Sequence, residues 1–96
     1  MKTKLRIMRE AKKLTFDDLV NIIKPFNEND IEMFNLDYIV RREWVQRLSE
    51  YEDSDFDINK QTEFRKLTYS RDIPYIAKAL GCAVEQIEQK IHSQSI

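Results

Sequence analysis

The stretch from Asn35 to Glu52, N-L-D-Y-I-V-R-R-E-W-V-Q-R-L-S-E-Y-E, constrains the fold most, because it reads as one helix with two unlike faces. At about 100° per residue, Val40, Trp44, Leu48 and Tyr51 fall on one narrow stripe, with Arg42, Gln46 and Ser49 almost opposite. Asp37 is placed to cap its start. Such a rod must bury its aromatic seam against other elements, which turns a donor-bearing face outward. An outward Arg can grip guanine O6 and N7, and a Gln adenine N6 and N7, when the helix lies in a major groove. Without DNA the same side chains form an ordinary solvated face. Glu43 and Glu50 flank the stripe and would repel phosphates.

One Gly and two Pro in 96 residues, with 42% hydrophobic and 34% charged residues, favour an all-α fold over a sheet or a disordered chain. The length suits a single domain with a modest core. The expected architecture is a compact bundle of about five helices, with residues 1–92 as the domain and 93–96 as a frayed tail. Net charge is −1 but unevenly spread. Lys2, Lys4, Arg6, Arg9, Lys12 and Lys13 make the first segment basic, and Glu50, Glu52, Asp53, Asp55 and Asp57 form an acidic run past the middle. Affinity for DNA depends on where the cations sit, so a neutral total argues only against strong non-specific binding.

Taken in order, Leu5, Met8 and Ala11 recur at helical spacing between Lys2 and Lys13, with Ile7 widening the apolar side. Thr15 can cap the next helix, with Asp18 reaching back, and that helix runs through Leu19, Val20, Ile22 and Ile23 until Pro25 stops it. Pro25 to Asp30 reads as a polar loop, and Asp30 can cap a short turn carrying Ile31, Met33 and Phe34. After Glu52 the acidic segment is a loop that Phe56 pins to the core, and the spacing of Phe64 and Leu67 suggests a short helix within Ile58 to Leu67. Ser70 is expected to cap a further helix containing Ile73, Ile76, Ala77 and Leu80, with Pro74 in its first turn and Gly81 after its end. Val84, Ile87 and Ile91 predict a final helix.

Two segments resemble a known family. L-R-I-M-R-E-A-K-K-L-T-F-D-D-L-V (Leu5 to Val20) resembles helices one and two of the lambda-repressor-like helix-turn-helix domains of the Xre/Cro branch. D-I-P-Y-I-A-K-A-L-G-C-A-V-E-Q-I (Asp72 to Ile87) resembles that family's last two helices, and L-S-E-Y-E (Leu48 to Glu52) is similar to the close of its third. The resemblance implies a lambda-repressor-like bundle with insertions between helices 2 and 3 and before helix 4. It also implies a DNA-reading unit made by the second and third helices, usually of a homodimer on a two-fold site in double-stranded DNA. Where the family typically has a phosphate-binding Gln, this chain has Phe16, and Glu50 stands where a basic residue often precedes the closing aromatic.

Arg42, Gln46 and Ser49 are then the base-facing candidates, with Arg41 and Arg47 at the edges. If the register shifts toward the start of the helix, Arg41 and Arg42 take the base contacts. Lys4, Lys12 and Lys13 are phosphate-positioning candidates beside Thr15. The resulting expectation is a DNA-binding transcriptional regulator acting without cofactor. The competing expectation is a protein-binding module, an antirepressor or modulator whose acidic Glu50 to Asp57 region meets a basic partner.

Enzymatic motifs are missing from the sequence: one Gly cannot build a phosphate loop, and no H-E-x-x-H or nucleophile signature occurs. Asp53, Asp55 and Asp57 lack the Gly and the closing Glu of a calcium loop. His92 stands alone, Cys82 has no partner for a disulfide, and Trp44 and Tyr51 fit the core better than a single-strand stacking platform. No apolar run approaches the roughly 20 residues of a bilayer span, and no signal-peptide core follows the basic start, so the expected location is cytoplasmic.

Overall fold

Capping chemistry sets the first two helices. In the computed structural model, which describes residues 1–23 and 37–91, helix α1 spans Lys4–Ala11 and helix α2 spans Phe16–Ile23. The Thr3 hydroxyl accepts from the Arg6 amide and closes the start of α1. At α2 the exchange is reciprocal: the Asp18 amide donates to Thr15 Oγ1 at 3.1 Å, and the Thr15 amide donates to the Asp18 carboxylate at 2.9 Å. The Thr15 amide, followed by its hydroxyl, holds the Asp18 carboxyl below its usual range. Leu5, Leu19, Val20 and Ile23 are buried, whereas Ile7 is exposed. Ile7 lies about 200° round the helix from Leu5, so it faces solvent instead of widening the apolar side.

Helix α3 spans Asp37–Glu52, so Asp37 belongs to the helix and the residue before it is not among those described. The expected stripe points inward: Trp44, Leu48 and Tyr51 are buried, and Val40 packs on them partly exposed. Past α3, Phe56 folds back as expected, its ring 5.5 Å from that of Tyr51 and 5.6 Å from that of Tyr69. Asp57 then caps a 3-10 turn over Ile58–Lys60.

The last third departs from the sequence reading. One uninterrupted helix, α4, spans Glu63–Leu80, replacing the expected short helix and the separate helix after Ser70. Thr62 is its cap, accepting from the Arg65 amide, and Ser70 is an exposed interior residue. Pro74 therefore lies inside α4 and not in a first turn. Pro74 and Ser70 are both exposed, so the Ser70 carbonyl deprived of its helical amide is on the solvent side, where water can satisfy it. Gly81 ends the helix in the left-handed region, φ 70° and ψ 35°, as expected.

The expected final helix is only a 3-10 turn, Val84–Gln86. Ile87 is buried but Ile91 is exposed. The Gln89 amide, which a helix would direct to Glu85, donates instead to the Tyr69 hydroxyl at 2.8 Å. The Gln89 side chain accepts from the Ile58 amide and donates to the Phe56 carbonyl, each at 2.8 Å. A segment so tied to its neighbours cannot also coil into a helix.

Among the described residues the fold is thus all-helical, with four α-helices against the expected five or so, and α2 packs against both α3 and α4. Leu19, Ile23, Leu48, Ile58, Ile73, Ile76 and Ile87 form the fully buried centre. No described helix is long and apolar enough to cross a membrane. The Pro25 stop, the loop to Asp30, the turn on Ile31, Met33 and Phe34, His92 and the tail all lie outside the described residues.

Because the cap of α4 is Thr62 and not Ser70, the two positions should respond differently to alanine. Thr62→Ala is expected to lower unfolding stability by about 1 kcal/mol, and Ser70→Ala to leave it unchanged or slightly higher, as read by urea denaturation.

Candidate nucleic-acid interface

The site depends on which way α3 is turned, and two carboxylates decide that. Glu52, its last residue, is buried and takes a two-pronged grip from Arg9 of α1, with Nε at 2.6 Å and Nη2 at 2.9 Å. Arg9 Nη1 also donates to the Leu14 carbonyl at 2.7 Å, and its guanidinium lies 4.5 Å from the centre of the Phe16 ring. The hydrogen bond to Glu52 raises the Arg9 pKa further against the opposing effect of burial. Phe16 thus serves as the platform under this ion pair instead of contacting phosphate. The Thr3 hydroxyl adds a bond to the Glu52 carbonyl at 3.2 Å.

Asp72 of α4 fixes the opposite flank. It is wholly buried, and its Oδ2 accepts from the Tyr51 hydroxyl and from Arg47 Nε, both at 2.7 Å. Arg71 lies on its Oδ1 at 3.4 Å. Burial, followed by the bond to Asp72, pushes the Tyr51 phenol far above its ordinary value, so it remains a donor at any physiological pH. The Arg47 guanidinium also lies 4.5 Å from the centre of the Trp44 ring. Farther out, Arg65 pairs with Glu50 at 2.8 Å.

With both flanks held, the face between them is open. Arg42, Gln46 and Ser49 are exposed, and none has a side-chain partner among the described residues. Arg41 leans toward α2, donating to Asn21 Oδ1 at 2.7 Å. Arg47, the other edge candidate, is engaged by Asp72 and Trp44 and is withdrawn from the open face.

The basic residues of the first segment divide similarly. Lys2 and Arg6 both pair with Glu10, at 2.7 and 3.1 Å, and Arg9 with Glu52. Lys4, Lys12 and Lys13 are exposed and carry no carboxylate partner among the described residues, Lys13 on a left-handed turn residue with φ 58°. Thr15 is exposed, but its hydroxyl and amide are occupied by Asp18. The start of α2, which would otherwise attract an anion, holds Asp17 and Asp18 in its first turn.

The acidic run is less of a surface than its sequence suggests. Glu52 is buried and Glu50 is paired, while Asp53 accepts from the Asp55 amide and Asp57 from the Asn59 amide. Among the described residues, no three His, Cys, Asp or Glu side chains are arranged to hold a metal ion. Burial raises the pKa of the half-buried Cys82 despite nearby Lys12, so it stays a thiol at neutral pH.

Sequence reasoning missed Asp72, although a signal was present. Tyr69, Asp72, Ile73, Ile76, Ala77 and Leu80 share one helical stripe, and an acid on an apolar stripe needs a buried partner. No protein-family model, curated protein or solved structure matches the chain. Its own geometry therefore carries the functional reading.

The Arg9–Glu52 pair should behave as a unit. Glu52→Ala leaves a mostly buried guanidinium without its carboxylate and is expected to cost about 3 kcal/mol. The double replacement Arg9→Met with Glu52→Leu should recover most of that loss, as followed by urea denaturation at neutral pH.

Proposed function

We propose that this chain is a sequence-specific DNA-binding transcriptional regulator of the lambda-repressor-like helix-turn-helix class, with the outer face of α3 laid in a major groove. The observation that carries the reading is that Arg42, Gln46 and Ser49 stand exposed, without a side-chain partner among the described residues, between two locked flanks. Arg42 and Ser49 are two helical turns apart, about 10 Å, which spans roughly three base pairs. The Arg, as a two-pronged donor to guanine, and the Gln, as paired donor and acceptor to adenine, supply the bidentate contacts that distinguish G·C from A·T in that groove. Lys12 and Lys13, exposed on the turn leading into α2, supply sequence-independent attraction to phosphate.

The reading needs no cofactor, and a homodimer on a two-fold site follows from the family resemblance. The acidic-surface alternative has less to work with, since Glu52 is buried and Glu50 is held by Arg65, leaving Asp53 and Asp55 as its exposed carboxylates.

Selection from a random duplex library at low salt, followed by fluorescence anisotropy on the enriched site, tests the proposal. The expected result is one enriched sequence. Arg42→Ala with Gln46→Ala should lose its preference by at least about tenfold. Lys12→Ala with Lys13→Ala should weaken all sequences alike and reduce the salt slope by about 2. No enrichment, or a reading-face double variant as selective as wild type, would refute it.

A further inference from the structure

The outer face of α4 carries a second feature, which the DNA reading does not use. Glu63, Phe64, Leu67, Ser70, Arg71 and Pro74 form one exposed stripe along this helix. Phe64 is 75% exposed and Leu67 is 70% exposed, the most accessible large apolar side chains of the described helices. Isolated apolar surface residues need no explanation, but a Phe and a Leu one turn apart on an otherwise open helix face form a contiguous patch. Oppositely charged residues bracket it at equal distance. Glu63 lies four residues before Leu67 and Arg71 four after, each about 6 Å along the axis.

That spacing makes the stripe self-complementary. We infer that two copies of this chain pair through α4, antiparallel, about a two-fold axis passing beside Leu67. In that arrangement Leu67 meets Leu67 of the second copy, and Phe64 meets its Ser70 and Arg71. Glu63 of each copy comes within reach of Arg71 of the other. Phe64 thereby gains a guanidinium over its ring. Both charged residues are available: Glu63 is 90% exposed and touches Lys66 only at 3.5 Å, and Arg71 is 63% exposed with its contact to Asp72 at 3.4 Å. A parallel arrangement would set Glu63 against Glu63 and Arg71 against Arg71, which like-charge repulsion disfavours.

One helix laid on another buries less than the roughly 800 Å² per partner of a standard interface, so the dimer is weak, of micromolar to millimolar strength. The inference rests on α4 alone and is tested without DNA, so failure of the DNA-binding experiment leaves it standing.

Sedimentation velocity on the full chain, from low-micromolar to near-millimolar concentration, reads the association directly. Wild type is expected to pass from monomer to dimer across that range. Leu67→Glu, an exposed substitution that should keep the helical circular dichroism signal, weakens dimerisation at least about tenfold. Glu63→Arg alone weakens it as well, and adding Arg71→Glu to Glu63→Arg restores it. A wild-type monomer at every concentration overturns the inference and leaves the stripe to a different partner. So does a Leu67→Glu chain that dimerises as strongly as wild type, or a charge swap with no recovery.

Discussion

Two carboxylates withdrawn from water, Glu52 and Asp72, hold this structure in register. Removing a charge from water is tolerated only where pairing is complete: Glu52 takes both prongs of Arg9, and Asp72 is shared by Arg47, Tyr51 and Arg71. They belong to different helices and act on opposite flanks of α3. Glu52 ties the end of α3 to α1 through Arg9. Asp72 ties its C-terminal half to α4 through Arg47 and Tyr51. A turn of α3 by one residue, about 100°, would break both arrangements together and expose Trp44 and Leu48. Apolar packing alone would allow α3 more rotational freedom than these directional bonds permit.

Fixing that rotation is what gives the open face meaning. Of the described basic residues around α3, Arg9, Arg47 and Arg65 are paired with carboxylates, Arg41 is held by the neutral Asn21, and Arg42, Lys4, Lys12 and Lys13 carry no carboxylate partner among the described residues. A chain of net charge −1 can therefore present local cations without being a polycation. The same partition would limit attraction to phosphate: Asp17 and Asp18 sit at the start of α2, and Glu43 is exposed on the α4 side of the open face. DNA binding of the proposed kind would depend on base contacts and on duplication of the site more than on bulk charge.

Where local chemistry determined local structure, the sequence was legible. The Thr15–Asp18 exchange, the Gly81 end of α4, the inward stripe of α3 and the outward Arg42, Gln46 and Ser49 all follow from spacing and cap preference. Reading failed where tertiary partners overrode local signals. Ser70 looked like a cap because Pro74 follows it at first-turn distance, yet α4 runs through both, since the loss of one solvent-side hydrogen bond is small beside burying Tyr69, Ile73 and Ile76 on one stripe. The helix expected to carry Ile91 yields to three hydrogen bonds made by Gln89. Least legible was the acidic run, because its sequence could not reveal that Glu52 turns inward and Glu50 meets Arg65.

The central claim is that the locked rotation of α3 presents a DNA-reading face, and amide-resolved NMR tests it most directly. Isotope-labelled protein would be titrated at low salt with a pool of short duplexes of mixed sequence. The account predicts shift changes concentrated at Arg42, Gln46 and Ser49 and at the Lys12 and Lys13 turn, with the amides from Asp53 to Ile58 unmoved. Changes centred on Asp53 to Ile58, or none at any amide, would contradict it.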